Sequence, residues 1–195
     1  APLTDFTIKQ FEALGLYSKD EMAEFPCMPL VAEEKLQNRL VLGEGAAVFS
    51  IEKYKNHHEK YILSRINGLG FGFEILNSPT SITDSGEGLE QSMLSAMDDA
   101  GINNIDAIIT HAPGTIHGDA AELSAIYKVF GDVHPILLSN KWMIGHTFGA
   151  SAALSLELGI HILHNQKYYD FPYPVRVSFE KKEIKNIMIN AAGFG

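Results

Sequence analysis

The 195-residue chain is long enough for one domain with a substantial core, or for one large lobe of a bigger enzyme. A composition of 46% hydrophobic and 20% charged residues excludes a disordered chain, and no run approaches the about 18 apolar residues that a membrane-spanning helix needs. The formal net charge of −9 argues against general nucleic-acid binding, which relies on basic surface.

Apolar residues at Phe6, Ile8, Phe11 and Leu14, followed by Gly15, predict a short helix over Thr4–Leu14. From Tyr17 to Gln37 no period holds and Pro26 and Pro29 punctuate the chain, as expected of an irregular loop. Val41 to Glu52 reads as a glycine-kinked strand and Tyr61 to Phe73 as a second. The latter holds Gly68-Leu-Gly-Phe-Gly72, which leads into no immediate helix and so reads as close backbone packing rather than a nucleotide loop. Leu89 to Ala100 has helical spacing with Gly101 as its stop, and its methionines read as core filler. Ile105 to His111 is a strand-length apolar run, Gly118 to Phe130 a helix capped by Gly131, and Pro135 to Ser139 a short buried strand. His146 is expected to open a helix rich in small residues that runs to about Asn165, its free N–H groups and dipole facing the histidine. Val175–Phe179 and Glu183–Ala191 read as closing strands, and the βαβα order indicates an α/β fold.

Two segments carry the chemistry: His111-Ala-Pro-Gly-Thr-Ile-His-Gly-Asp-Ala-Ala-Glu122 and Ser139-Asn-Lys-Trp-Met-Ile-Gly-His146. Imidazoles on two separate turns can converge on one carbonyl oxygen and donate hydrogen bonds to the charge that develops there, which suggests chemistry at a thioester. Cys27, the single cysteine, excludes an intrachain disulfide and is compatible with a reducing cytoplasm. It lies in a proline-bounded loop, whereas a nucleophilic cysteine sits on a tight turn at the N-terminus of a buried helix, which lowers its pKa, so it reads as non-catalytic. His57-His58 reads as solvent-exposed, and His117, His134, His161 and His164 as surface or satisfied core residues; no spacing supports a metal site. The start, Ala1-Pro-Leu-Thr-Asp5, resembles no signal peptide and lacks a methionine, so the true N-terminus is expected upstream.

Four motifs occur in register: Val41-Leu-Gly-Glu-Gly-Ala-Ala47, the His111 segment with Thr115, Gly118-Asp119 and Glu122, the Lys141/Gly145-His146 segment, and Asn190-Ala-Ala-Gly-Phe-Gly195. In this order they resemble the C-terminal half of the elongating β-ketoacyl-acyl-carrier-protein synthases. Pro2-Leu-Thr-Asp-Phe6 is similar to the segment after that family's mid-chain strand, so the resemblance spans residues 1–195 as one C-terminal synthase domain, without the nucleophile-bearing N-terminal half. It implies half of a thiolase-like layered fold, a mixed sheet with buried and covering helices. The activity implied is a decarboxylating Claisen condensation of an acyl thioester with malonyl-acyl carrier protein, in fatty-acid or related polyketide or polyene synthesis. His111 and His146 match the two histidines that stabilise the enolate, and Lys141 and Glu122 match a lysine and an acidic residue that pair to fix the field and tautomer around His111. Thr115 matches the threonine that bonds the phosphopantetheine arm, and Gly193 and Phe194 resemble a glycine-phenylalanine gate.

The same resemblance implies no permanently bound cofactor, phosphopantetheine arriving on the carrier protein instead. It also implies a cytoplasmic enzyme, a homodimer or a ketosynthase heterodimer at full length, and no nucleic-acid or membrane partner. An acidic carrier would need a basic patch, for which Lys128, Lys141, Lys167, Arg176 and Glu180–Lys185 are only scattered candidates. The isolated chain, without the nucleophilic cysteine, is expected to be inactive. Pro113 and Trp142 depart from the family pattern and bear on substrate and carrier specificity. The alternative is a non-catalytic, chain-length-determining or structural partner subunit, against which the retained histidines and Lys141 argue. A thiolase or an initiating synthase would show a different set of catalytic residues.

Overall fold

Three short apolar runs assemble into the parallel sheet at the centre of the computed structural model, which describes residues 3–20, 22–32, 36–53, 62–75, 85–132, 135–175 and 182–193. They are β1 (Ala107–Ile109), β2 (Ile136–Leu138) and β3 (Ile187–Ile189), in the order β2-β1-β3. Ile108 pairs with Leu137 on one side and Met188 on the other. Continuous β-branched and aliphatic runs suit strands buried on both faces, and β1 is fully enclosed.

Alternation of side chains along each strand divides the core in two. Ile108, Leu137 and Met188 face the layer formed by α2 (Glu87–Ala100) and α3 (Ile116–Phe130), where they meet Met93, Leu123 and Ile126. Ala107, Ile109, Ile136 and Leu138 face the other way, toward Ile162 of α5 (Ser151–Asn165) and Ile184. Gly159 lets α5 lie close to the sheet: a Cβ there would stand 3.5 Å from Ile189 Cδ1 and 3.6 Å from Ile109 Cδ1. The result is an α/β layered arrangement with the sheet between covering helices.

The first three expected helices form with small shifts of their ends. α1 (Asp5–Ala13) is capped by Thr4, whose hydroxyl accepts from Thr7 N, and none of its residues is buried. α2 ends at Gly101, whose φ of 64° is the left-handed conformation that glycine adopts at no steric cost. The first two expected strands do not form ladders. Leu40 and Leu42 make only isolated bridges, to Tyr17 and His146. Of the second, residues 62–73 lie against α2: a side chain at Gly68, Gly70 or Gly72 would strike the backbone of Ala96, Ser92 or Gly88 respectively. The glycine cluster thus serves close backbone packing, onto a helix rather than within a sheet. Every pairing among the described strands is parallel, and the one antiparallel contact is the isolated Val31–Val175 bridge. Residues 176–179 of the next expected strand lie outside the described residues, and the closing strand contracts to Ile187–Ile189.

His146 does not open a helix. It lies between the single turn α4 (Lys141–Ile144) and a 3₁₀ turn at Phe148–Ala150, with α5 starting only at Ser151. Left-handed backbone at Gly145 (φ 70°) and Phe148 (φ 52°) interrupts the helical path on both sides of it. The expected contribution of a helix dipole directly at His146 is therefore replaced by individual N–H groups.

Candidate active site

β1 delivers His111 two residues beyond its carboxyl end, the position at which open parallel sheets present functional groups. The turn that follows is held from behind by α3. Glu122, fully buried, accepts the backbone N–H of His111 at Oε1 (2.9 Å) and that of Ala112 at Oε2 (2.6 Å). Asp119, one turn earlier on the same helix, accepts from Gly114 N (2.9 Å) and from Leu30 N (2.8 Å). Gly114 itself has φ 88°, so the turn needs a residue without a Cβ there.

His146 is anchored through its backbone to the 41–43 segment: its N–H donates to Val41 O (2.7 Å) and its carbonyl accepts from Gly43 N (3.0 Å). Gly43 has no room for a side chain, because a Cβ would collide with the Ile144 carbonyl. The two anchored turns bring the imidazoles together, ring centroids 5.3 Å apart and planes at 85°. Phe148 N donates to His146 Nδ1 at 3.3 Å. An accepting Nδ1 carries no proton, so in the neutral ring the N–H is at Nε2. The Phe148 ring stands edge-on to the same imidazole at 5.6 Å, and Phe11 of α1 packs on Phe148 at 5.5 Å.

Both imidazoles are held neutral. Burial, then the nearby Lys141 cation, and then His146 depress His111 well below its ordinary 6.5. His146 is lowered to about 4 by burial and, next, by Lys141. Lys141 is itself enclosed, and its Nζ donates to Thr110 O at 3.4 Å. Burial pushes its ammonium down, against the attraction of Glu122, Cys27 and Asp119. Glu122 is pushed up by burial, against its hydrogen bonds from Asn190, Ala112 and His111 and the attraction of Lys141. Lys141 and Glu122 act on each other at a distance: the contact ion pair implied by the resemblance is absent among the described residues, because backbone and amide N–H groups occupy the carboxylate and the Thr110 carbonyl takes the ammonium.

The other expected residues are placed as follows. Thr115 is the N-cap of α3, its hydroxyl accepting from Gly118 N at 3.2 Å. Gly193 is exposed, and Phe194 lies outside the described residues. Cys27 is buried behind the His111 turn, its thiol 3.9 Å from Pro113 O. Trp142 is half-buried, its ring 6.5 Å edge-on from Phe25 of the Cys27 loop. Among the described residues no cluster of His, Cys, Asp or Glu could hold a metal ion, and no helix is long and apolar enough to cross a membrane.

Three residues gain structural roles that the sequence did not assign to them: Asp119, Phe148 and Asn190. An acidic residue in the first turn of α3 is a recognisable signal for Asp119. The left-handed backbone of Phe148 and the reach of Asn190 to Glu122 (2.8 Å) depend on tertiary packing and leave no local signature.

Residues 63–170 match the family model described as beta-ketoacyl synthase, C-terminal domain. The chain is 33% identical over 163 residues to nodulation protein E of Rhizobium leguminosarum bv. trifolii, an alignment covering 80% of this chain and 38% of that protein. It is 31% identical over 160 residues to 3-oxoacyl-[acyl-carrier-protein] synthase 2 of Staphylococcus aureus, covering 79% and 39%. It thus spans about two-fifths of the length of these curated relatives. A solved beta-ketoacyl synthase from Burkholderia phymatum STM815 superposes over 100% of this chain and 50% of its own, with a TM-score of 0.82 at 24% identity. The structure of the ishigamide ketosynthase/chain length factor superposes over 100% and 49%, with a TM-score of 0.78 at 24% identity. These superpositions establish the thiolase-like fold.

Proposed function

The chain belongs to the β-ketoacyl synthase family through its C-terminal domain, and on that premise we propose that residues 1–195 form the decarboxylating part of a condensing site. The observation that carries this reading is the pair of neutral, perpendicular imidazoles 5.3 Å apart, one with its proton fixed on Nε2. In the reaction a malonyl thioester loses CO₂: the bond from the methylene carbon to the carboxylate breaks, and its electron pair moves into an enolate whose charge rests on the thioester oxygen. His111 and His146 donate to that oxygen, a role worth about 10²- to 10³-fold in rate per donor. The enolate carbon then attacks the carbonyl of an acyl thioester, and the thiolate leaves.

The acyl-bearing cysteine belongs to a part of the full protein other than this chain, since Cys27 is enclosed with its thiol directed at a backbone carbonyl. The malonyl group arrives on the phosphopantetheine of an acyl carrier protein, past Thr115 and the Gly193-Phe194 gate. The full protein acts in the cytoplasm as a homodimer or ketosynthase heterodimer, in fatty-acid or related polyketide synthesis.

The test is CO₂ release from a malonyl thioester by the full-length protein. His111→Ala and His146→Ala are each expected to slow it about 10²-fold or more, and unchanged release in both variants would refute the assignment. A non-catalytic partner subunit is the second reading, prompted by superposition on a structure named for a ketosynthase and a chain length factor. Acyl transfer from an acyl carrier substrate, followed by intact mass, separates the two: an acylated cysteine outside this chain supports the enzyme, and no acylation supports the subunit. An acyl group on Cys27 would overturn the missing-nucleophile reading.

A further inference from the structure

Asn190 is buried immediately after β3 and three residues before Gly193. Its backbone N–H donates to Ile109 O at 3.0 Å, carrying the β1–β3 ladder one bond further, so the sheet itself fixes where this residue stands. From there its Nδ2 donates to Glu122 Oε1 at 2.8 Å and lies 3.6 Å from Met93 Sδ. Glu122 Oε1 is the oxygen that also accepts the His111 N–H, while Oε2 accepts from Ala112. One carboxylate therefore joins three segments: the His111 turn, helix α3 and the end of the closing strand.

We infer that Asn190 is a positioning residue of the condensing site: its amide holds the Glu122 carboxylate in the orientation that clamps the His111 turn, and so links the closing segment to the histidine. The inference rests on the proposed condensation for its catalytic consequence, but not for its geometry. An amide of this length suits the position. A carboxylate would set a second negative charge against Glu122 in a buried place, and an aliphatic side chain would leave Oε1 one donor short.

The charge state of Glu122 gives this role a measurable edge. Burial favours the neutral carboxyl, and among the opposing influences the Asn190 hydrogen bond is the largest, ahead of the Ala112 and His111 amides and the Lys141 cation. Lys141 of α4 is the charged group facing Glu122, with Cys27 and Asp119 acting on Lys141 in turn. Without the Asn190 donor the carboxyl protonates at higher pH. The charge-assisted bonds to His111 and Ala112 then weaken to neutral ones.

The experiment compares Asn190→Leu and Asn190→Asp with the wild type in the full-length protein, by amide hydrogen exchange and by CO₂ release from a malonyl thioester. In N190L, exchange at the His111 and Ala112 amides is expected to rise about tenfold or more, the loss of one charge-assisted bond. Its kcat is expected to fall by a similar factor with KM within about twofold, and the acidic limb of the rate profile to move to higher pH. In N190D, facing carboxylates should impair the site at high pH, and a shared proton should restore exchange protection on acidification. Unchanged exchange at both amides in N190L, or an acidic limb that stays in place, overturns the inference. If N190L does not fold, the N190D acid response decides it: recovery on acidification supports the role and its absence refutes it. If the wild type releases no CO₂, the condensing reading fails, while the exchange measurements still decide whether Asn190 positions the turn.

Discussion

Acidification from pH 7 to pH 5 should destabilise the protein through His146, and His146→Gln should remove that share. In the unfolded chain the imidazole titrates near 6.5, and in the folded protein at about 4. Between those values the unfolded chain binds a proton that the folded one does not, so stability is fully present above 6.5 and is lost as pH falls toward 4. At pH 5 the unfolded imidazole is almost wholly protonated and the folded one mostly neutral, a difference of about 2 kcal/mol relative to pH 7. Solvent at the accessible edge of the half-buried ring reduces this to between about 1 and 2 kcal/mol. His111, also depressed, acts in the same direction. Glu122, raised above its ordinary value, opposes them, because the folded state holds its proton to higher pH. Both persist in the variant, where His111 loses only the smallest of its three influences, that of His146 itself, so the comparison reports chiefly on His146. Urea denaturation followed by far-UV circular dichroism at the two pH values measures it. The wild type should lose about 1 to 2 kcal/mol more than H146Q. Equal losses would mean that the ring is not kept neutral by the fold, and the donor role assigned to it would fall with that result.

Three further outcomes follow from the site's construction. Glu122→Gln keeps the shape but turns an amide NH₂ toward N–H donors and leaves Lys141 without its buried counter-charge, so it should cost about 2 to 4 kcal/mol in urea titrations; a cost below about 0.5 kcal/mol would contradict the clamp. Thr115→Val removes the α3 cap with little change in volume and should lower stability by about 1 kcal/mol, readable as a reduced denaturation midpoint. Gly43→Ala drives a methyl group into the Ile144 carbonyl beside His146 and should cost more than about 3 kcal/mol, whereas Gly101→Ala, with no neighbour within 4 Å, should cost only about 1 kcal/mol for its left-handed backbone. Similar costs for the two glycines would refute the packing argument.

Elements whose signals are local were legible in the sequence. Thr4, Gly101, Gly131 and the apolar runs at 107–109 and 136–138 each mark a boundary or strand by chemistry confined to a few residues, whereas the Thr115 cap, three residues before the expected start of α3, was not read. Val41–Glu52 and Tyr61–Phe73 were less so, because strand-like alternation does not reveal what covers each face: in the second segment the alternating glycines meet α2 rather than a neighbouring strand. Of the site, the His111 and His146 segments stood out by their residues, whereas Lys141 and Glu122 were implied only by the family resemblance; in the structure the two imidazoles lie 5.3 Å apart, with Glu122 bonded to the His111 N–H and Lys141 acting on both rings. Their wiring was not legible. The pairing expected of Lys141 and Glu122 gives way to backbone contacts, since a buried carboxylate takes whichever donors the fold supplies, here the amides of His111, Ala112 and Asn190.

That wiring bears on how one set of charges can serve both stability and the proposed chemistry. Burial depresses both imidazoles most and the Lys141 cation lowers them further, so a proton is disfavoured at each ring. The Lys141 share of that effect is a positive field, which attracts negative charge developing between the rings. The neutral rings supply directed N–H groups, and the enclosed ammonium, held on Thr110 O, supplies charge at a distance. Glu122 would cancel that field if it paired directly with Lys141. Bonded instead to amides, it helps keep the ammonium compatible with burial while Lys141 still acts on both imidazoles.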